Sequence, residues 1–299
     1  MYEDKVLDQA VKIIDSDGME MALGFLEANF EANASSQFYN YLYCIAALCG
    51  DHDKALAYLE EAIIDKKMWY RPIVFEDDDL DGIRNHERFK KCTLESQKSY
   101  EEALKYAKSV FTWQEKKENR LVIALHGNQQ NIDYAKTEWS CFEKKAYQVE
   151  YLQSEELDSF GLYRWEDQGN GAENLVQVLD KVKKQQYEEI ILGGFSAGCN
   201  TILRGIIETE RVIDQIILQS PWLPIIDSQL DDVVAQVKKQ GTKIHIICGL
   251  DDEDCIENSK TLFEALESKG CHVSAKWIEG MGHEFSNDFS ELTEKMINE

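Results

Sequence analysis

The stretch Gly194-Phe195-Ser196-Ala197-Gly198 sets a serine among small residues, directly after the apolar run 188–195. A serine hydroxyl is a weak nucleophile and attacks a carbonyl only when a neighbouring base takes its proton. A sharp turn from strand to helix lifts such a serine clear of its sheet, and flanking glycines let backbone pack closely around it. The chemistry then needs an acid and, after it, a histidine, each on a loop that follows a strand. The run 242–249 leads into Leu250-Asp251-Asp252-Glu253-Asp254, and the run 272–280 into Met281-Gly282-His283-Glu284-Phe285. The required order of serine, acid and histidine is present, with the acid open among Asp251, Asp252 and Asp254. The chemistry so encoded is acyl transfer through a serine ester.

The negative charge that develops on the attacked carbonyl needs N–H donors aimed at it. One is expected from the amide of Ala197, at a helix N-terminus where the peptide dipoles favour negative charge. The other is expected from the loop after the run 120–127, which reads His126-Gly127-Asn128-Gln129. His126 itself is read as a structural part of that turn. Trp165, Trp222 and Phe195 are candidates to line a substrate pocket at the strand ends.

These residues must be held by a framework. Beyond residue 109, apolar runs at 120–127, 147–154, 188–196, 214–220, 242–249 and 272–280 alternate with helical patterns at 173–185, 199–209 and 259–270. Several runs are apolar on both alternations, as in central strands covered on both faces. Such alternation gives a parallel sheet with right-handed crossovers and a site at the carboxyl ends of its strands. One weaker strand candidate, 109–115, precedes them. Residues 1–108 are different, with helical spacing almost throughout: Val6, Leu7, Ala10, Val11 and Ile14 share a face, as do Ala55, Leu56, Leu59, Ala62 and Ile63. A weak internal repeat relates the stretch around Ala22 to that around Ala55, near the ~34-residue tetratricopeptide period.

The HG turn at 126–127, the G-F-S-x-G elbow at 194–198, the acid loop and the G-x-G-H loop at 280–283 together resemble the α/β-hydrolase superfamily. Y-R-W-E-D at 163–167 and S-P-W-L-P at 220–224 resemble its smaller phospholipase/carboxylesterase-like branch. Residues 1–108 resemble a tetratricopeptide-repeat-like helical domain. The resemblance implies an α/β fold, a mostly parallel sheet flanked by helices over 109–299, preceded by an all-α domain over 1–108. It also implies a Ser-His-Asp triad with the acid three residues after Gly249, which selects Asp252 alongside Ser196 and His283. The oxyanion donors become the amides of Ala197 and Asn128, with Gln129 as the alternative to Asn128. The implied activity is serine hydrolysis of a carboxylic ester or thioester through an acyl-enzyme, a peptidase being a variant. A reading of another class makes the chain an interaction protein whose repeats bind a protein or peptide and whose hydrolase domain is regulatory; the intact serine, acid and histidine favour the enzyme.

Composition narrows the partners. A net charge of −24 repels nucleic acid and anionic membrane surfaces. No apolar stretch approaches the ~18–20 residues that span a bilayer, and the acidic N-terminus lacks the pattern of a signal peptide. The eight cysteines are irregularly spaced without a C-x-x-C pair, which points to reduced thiols in a cytoplasmic protein. Cys255 with Cys271-His272 can be drawn as a metal cluster, but their run-in is strand-like, so no metal and no cofactor is expected.

Overall fold

The computed structural model describes residues 2–166, 169–182 and 187–298. Asp167 of the Y-R-W-E-D motif and residues 183–185 of one expected helix lie outside them. The chain divides into two compact units, Met1–Ala107 with Leu157–Leu162, and Lys108–Glu156 with Tyr163–Glu299.

The first unit is helical: α1 (Tyr2–Asp17), α2 (Met19–Ala28), α3 (Ser36–Leu48), α4 (His52–Glu60) and α5 (Glu87–Leu104). Side-chain caps start three of these helices, Ser35 accepting from the Phe38 N–H, Asp51 from the Lys54 N–H and His86 from the Arg88 N–H. Ala46 and Ala55 are fully buried, and such small residues let the helices α3 and α4 approach closely. α4 runs on into a π-helical turn at Glu61–Asp65.

After residue 107 the chain forms β1 (Val110–Phe111), β2 (Arg120–Leu125), α6 (Ile132–Trp139), β3 (Gln148–Gln153), β4 (Glu156–Ser159), β5 (Leu162–Arg164), α7 (Gly171–Val182), β6 (Glu189–Phe195), α8 (Ala197–Glu208), β7 (Gln215–Gln219), α9 (Ile226–Gln240), β8 (Lys243–Gly249), α10 (Ile256–Ser268), β9 (Val273–Ile278) and α11 (Phe289–Ile297), of which β4 and β5 carry the residues 157–162 that belong to the first unit. Seven strands form one sheet in the order β1-β3-β2-β6-β7-β8-β9, parallel throughout except for the edge strand β1. Each of the six apolar runs became one of its parallel strands. Both faces are covered: Leu121, Ile123 and Leu125 of β2 point into one apolar cluster, Val122 and Ala124 into another. The weak candidate 109–115 shrinks to two residues, because the Thr112 hydroxyl takes over from the ladder and donates to Glu150 while accepting from the Tyr151 N–H.

The tip of the β4–β5 hairpin departs from the sequence pattern, which put all of 109–299 together. Residues 157–162 pack in the helical unit: Ser159 pairs with Tyr70, its hydroxyl lies 2.8 Å from that of Ser36, and the Phe160 N–H donates to the Trp69 carbonyl. The excursion turns at Gly161, φ 78°, and is too short to show a period of its own.

Candidate active site

Ser196 directly follows β6 and caps α8 with φ 52° and ψ −123°, a conformation that side-chain-bearing residues rarely adopt. Hydrogen bonds on both sides enforce it. Its N–H donates to the Gln219 carbonyl on the neighbouring strand β7, and its carbonyl accepts from the N–H groups of Cys199 and Trp222. Gly198 matters for space: a β-carbon there would lie 2.5 Å from the His126 carbonyl oxygen. Only glycine lets the HG turn press against the start of α8.

The HG turn is braced from below. His126 is buried, and its Nδ1 donates to the Gly127 carbonyl at 2.6 Å while Nε2 accepts the Ser154 N–H at 3.2 Å. Those partners define the neutral ring with its proton on Nδ1, and burial pulls its pKa down to about 4. The Trp165 indole stacks on this ring at 5.0 Å and donates its Nε1–H to the His126 carbonyl. The Trp165 N–H donates in turn to Oδ1 of Asn128. Trp165, expected at the substrate pocket, is 2% exposed and bonded to the turn. Asn128 and Gln129 are exposed, and Gln129 has φ 59°.

The loops after β8 and β9 are joined by backbone hydrogen bonds. Leu250 N–H donates to the Ile278 carbonyl and Asp251 N–H to that of Met281. A β-carbon at Gly249 would collide with the Met281 carbonyl oxygen at 1.8 Å, so this contact too requires glycine. The result is that Asp252, 2% exposed, sets Oδ2 at 3.0 Å from Nδ1 of His283, whose side chain is 43% exposed. Asp251 and Asp254 point to solvent. The carbonyl of Asp252 also accepts from the Cys255 and Ile256 N–H groups at the start of α10, which fixes the acid loop.

Two thiols flank this pair. Cys248 Sγ lies 3.9 Å from Asp252 Oδ2, and Cys255 Sγ 3.5 Å from His283 Nδ1. Burial first, with the Asp252 charge assisting, pushes the Cys248 thiol up to about 12 and Cys255 higher still, so neither is a nucleophile. Cys271 and His272 take no part in this group.

Aromatic packing sets the histidine loop over the end of β6. The Phe195 ring meets His283 at 5.1 Å and stacks on Phe285 at 4.7 Å, and Phe285 meets Phe289 edge-on. Phe195 is therefore packed against the imidazole. Trp222 is half-buried beside Cys248, Cys255 and Ile256.

Two residues that sequence reasoning passed over also hold this loop. Gln219 Nε2 donates to the Glu284 carbonyl at 2.8 Å and the Ser220 hydroxyl donates to the same oxygen at 3.1 Å. Both side chains are fully buried, and Ser220 has φ 43°. The signal was a polar Gln-Ser pair directly after the apolar Ile216-Ile217-Leu218 of the run 214–220.

Fold and site define a class first: an α/β protein with a mostly parallel sheet flanked by helices, consistent with an α/β-hydrolase. Residues 2–104 match the family model described as A/B hydrolase-like, N-terminal domain. The tetratricopeptide resemblance of the helical region finds no support in that match. A crystal structure of an uncharacterized protein from Bacillus cereus ATCC 10987 is similar over 98% of this chain and 97% of its own, at 27% identity and a TM-score of 0.58. An esterase, PE8, is similar at 18% identity and a TM-score of 0.48, covering 60% of this chain and 92% of its own. Acyl-protein thioesterase 2 of Zea mays is similar at 14% identity and a TM-score of 0.46, over 64% of this chain and 98% of its own. No curated protein sequence matches the chain. Among the described residues no helix is long and apolar enough to cross a membrane.

Proposed function

We propose that the chain is a serine hydrolase that cleaves a carboxylic ester or thioester through an acyl-enzyme, with Ser196 as nucleophile, His283 as base and Asp252 as the orienting acid. The observation that carries this reading is the buried Asp252 carboxylate at 3.0 Å from His283 Nδ1, on loops beside a serine held at φ 52°. A carboxylate on Nδ1 keeps the ring proton there and leaves Nε2 free to accept another.

Ser196 Oγ attacks the substrate carbonyl as Nε2 of His283 takes its proton. The resulting oxyanion is met by the amides of Ala197 and Asn128, and the dipole of α8 adds to their field. Collapse expels the alcohol or thiol, which takes the proton back from Nε2. Water then enters, gives its proton to Nε2 and attacks the acyl-enzyme; the same proton returns to Ser196 as the acid leaves. Asp252 stabilises the imidazolium without accepting a proton. General-base action is worth about 10²–10⁴-fold and each oxyanion donor about 10²–10³-fold. Phe195 and Trp222 are proposed to border the acyl group, and the boundary at 108/109 is proposed to separate the helical part from the catalytic one.

Turnover of p-nitrophenyl esters of increasing chain length, and of a matching thioester series, tests the reading. Wild-type hydrolysis that falls to the buffer rate in Ser196→Ala supports it. Equal rates in both proteins, or none with any member of either series, would remove it.

A further inference from the structure

We propose that Asp252, Cys255 and His283 form a reversible, inhibitory binding site for a soft divalent cation such as zinc. Among the described residues these three offer a carboxylate oxygen, a thiol sulfur and an imidazole nitrogen that all lie within 4.8 Å of one another. Zinc bound tetrahedrally at ~2.3 Å from sulfur and ~2.0 Å from nitrogen and oxygen separates S and N by about 3.5 Å and N and O by about 3.3 Å. The separations here are 3.5 Å for Cys255 Sγ to His283 Nδ1 and 3.0 Å for Nδ1 to Asp252 Oδ2. These two separations already match a tetrahedral site to within a few tenths of an ångström, and the third, from Cys255 Sγ to the Asp252 carboxylate, lies within 4.8 Å. Cys248 bonds to Asp252 Oδ2 but does not join the group.

The donor set chooses the ion. Calcium and magnesium take oxygen ligands and gain little from a thiol, whereas zinc, cadmium and cobalt(II) bind thiolate and imidazole. Cys255 and Asp252 are buried, so the cation enters past the His283 ring, the exposed member. A metal deprotonates a coordinating thiol outright, so the high pKa of Cys255 weakens binding without preventing it. The fourth coordination position is left for water.

Binding disables the base by a tautomer change. In the free protein Nδ1–H of His283 donates to Asp252. The metal takes the place of that hydrogen, Nε2 acquires one, and Cys255 releases its thiol proton, so one proton leaves per metal bound. With Nε2 protonated, His283 cannot accept the proton of Ser196, and Asp252 is diverted to the metal. The inhibition rests on the proposed hydrolase reading; the binding does not.

Cobalt(II) titration of the full chain reads the site directly, through the near-ultraviolet band of a cobalt-bound thiolate. Wild type and the control Cys271→Ser are expected to develop the band at one metal per chain, and Cys255→Ser and Cys255→Ala to lack it while melting cooperatively. Zinc is expected to slow fluorophosphonate labelling by roughly tenfold or more in wild type, reversibly with EDTA, and by less than about twofold in Cys255→Ser, as befits loss of one of three ligands. A band of equal strength in both Cys255 variants, or none in wild type, overturns the proposal. Absence of labelling in metal-free wild type would instead count against the hydrolase reading, with the cobalt band still deciding the metal site.

Discussion

Nδ1 of His283 stands 3.0 Å from Oδ2 of Asp252, a half-exposed ring bonded to a carboxylate that is 2% exposed. Burial excludes water from the bond, and backbone hydrogen bonds from Cys255 and Ile256 anchor the aspartate to the start of α10. Asp252→Asn keeps the size of the side chain but offers Nδ1 an N–H and favours the wrong tautomer. Its kcat on the best ester is expected to fall by about 10³–10⁴-fold, by the loss such a change causes in triads generally. Asp251→Asn and Asp254→Asn alter exposed side chains and should stay within about twofold of wild type. Steady-state kinetics on the three variants decide whether the acid is Asp252.

Gln219 and Ser220 both donate to the Glu284 carbonyl, next to the histidine. Ser220→Ala removes one donor and leaves the other, at a cost of about 1 kcal/mol in stability. As a positioning residue it should lower kcat by roughly tenfold with little change in KM, since a slightly misplaced base affects the transition state and not ground-state binding. A rise in KM with unchanged kcat would place Ser220 in substrate binding instead.

Trp165→Phe keeps a ring against His126 and deletes the indole N–H that donates to the His126 carbonyl. Stability is expected to drop by about 1–2 kcal/mol, the cost of leaving a buried carbonyl without its donor. The acyl-chain-length profile should be unchanged if the role of Trp165 is to brace the turn to which it is bonded. A shifted profile would return Trp165 to the pocket.

His126 adds a pH dependence with a definite sign. Its pKa falls from 6.5 in the unfolded chain to about 4 in the fold, because burial opposes the charged ring. The unfolded chain then binds the extra proton first, so stability is full above 6.5, falls as pH drops below it, and levels off below about 4. The loss amounts to about 3 kcal/mol for this residue. His245 is shifted in the same direction, also by burial. Denaturant melts at pH 7, 5.5 and 4 should show a smaller decline in His126→Gln than in wild type; parallel declines would contradict the assignment.

Much of the sheet-bearing part was legible because its signals are local and repeated. Runs such as 188–196 and 242–249 are apolar on both faces, which only a covered central strand requires, and the glycines at 194, 198 and 249 mark where backbones meet. Among Asp251, Asp252 and Asp254 the family spacing from Gly249 singled out Asp252, and the fold adds that its carboxylate alone of the three is buried. The bonding of Trp165 to the HG turn was not legible: an aromatic after a strand looks the same in sequence whether or not it braces a turn. The hairpin tip at 157–162 and the Gln219–Ser220 clamp depend on partners far away in the chain, at Tyr70 and Glu284, which no local period reports.

The central claim is that Ser196 is a nucleophile activated by His283. A fluorophosphonate probe reacts covalently with such a serine, and peptide mass spectrometry locates the adduct. Wild type is expected to label stoichiometrically at Ser196, Ser196→Ala not at all, and His283→Ala at least about 10²-fold more slowly. Labelling that persists in Ser196→Ala, or an adduct on any other residue, would contradict the account.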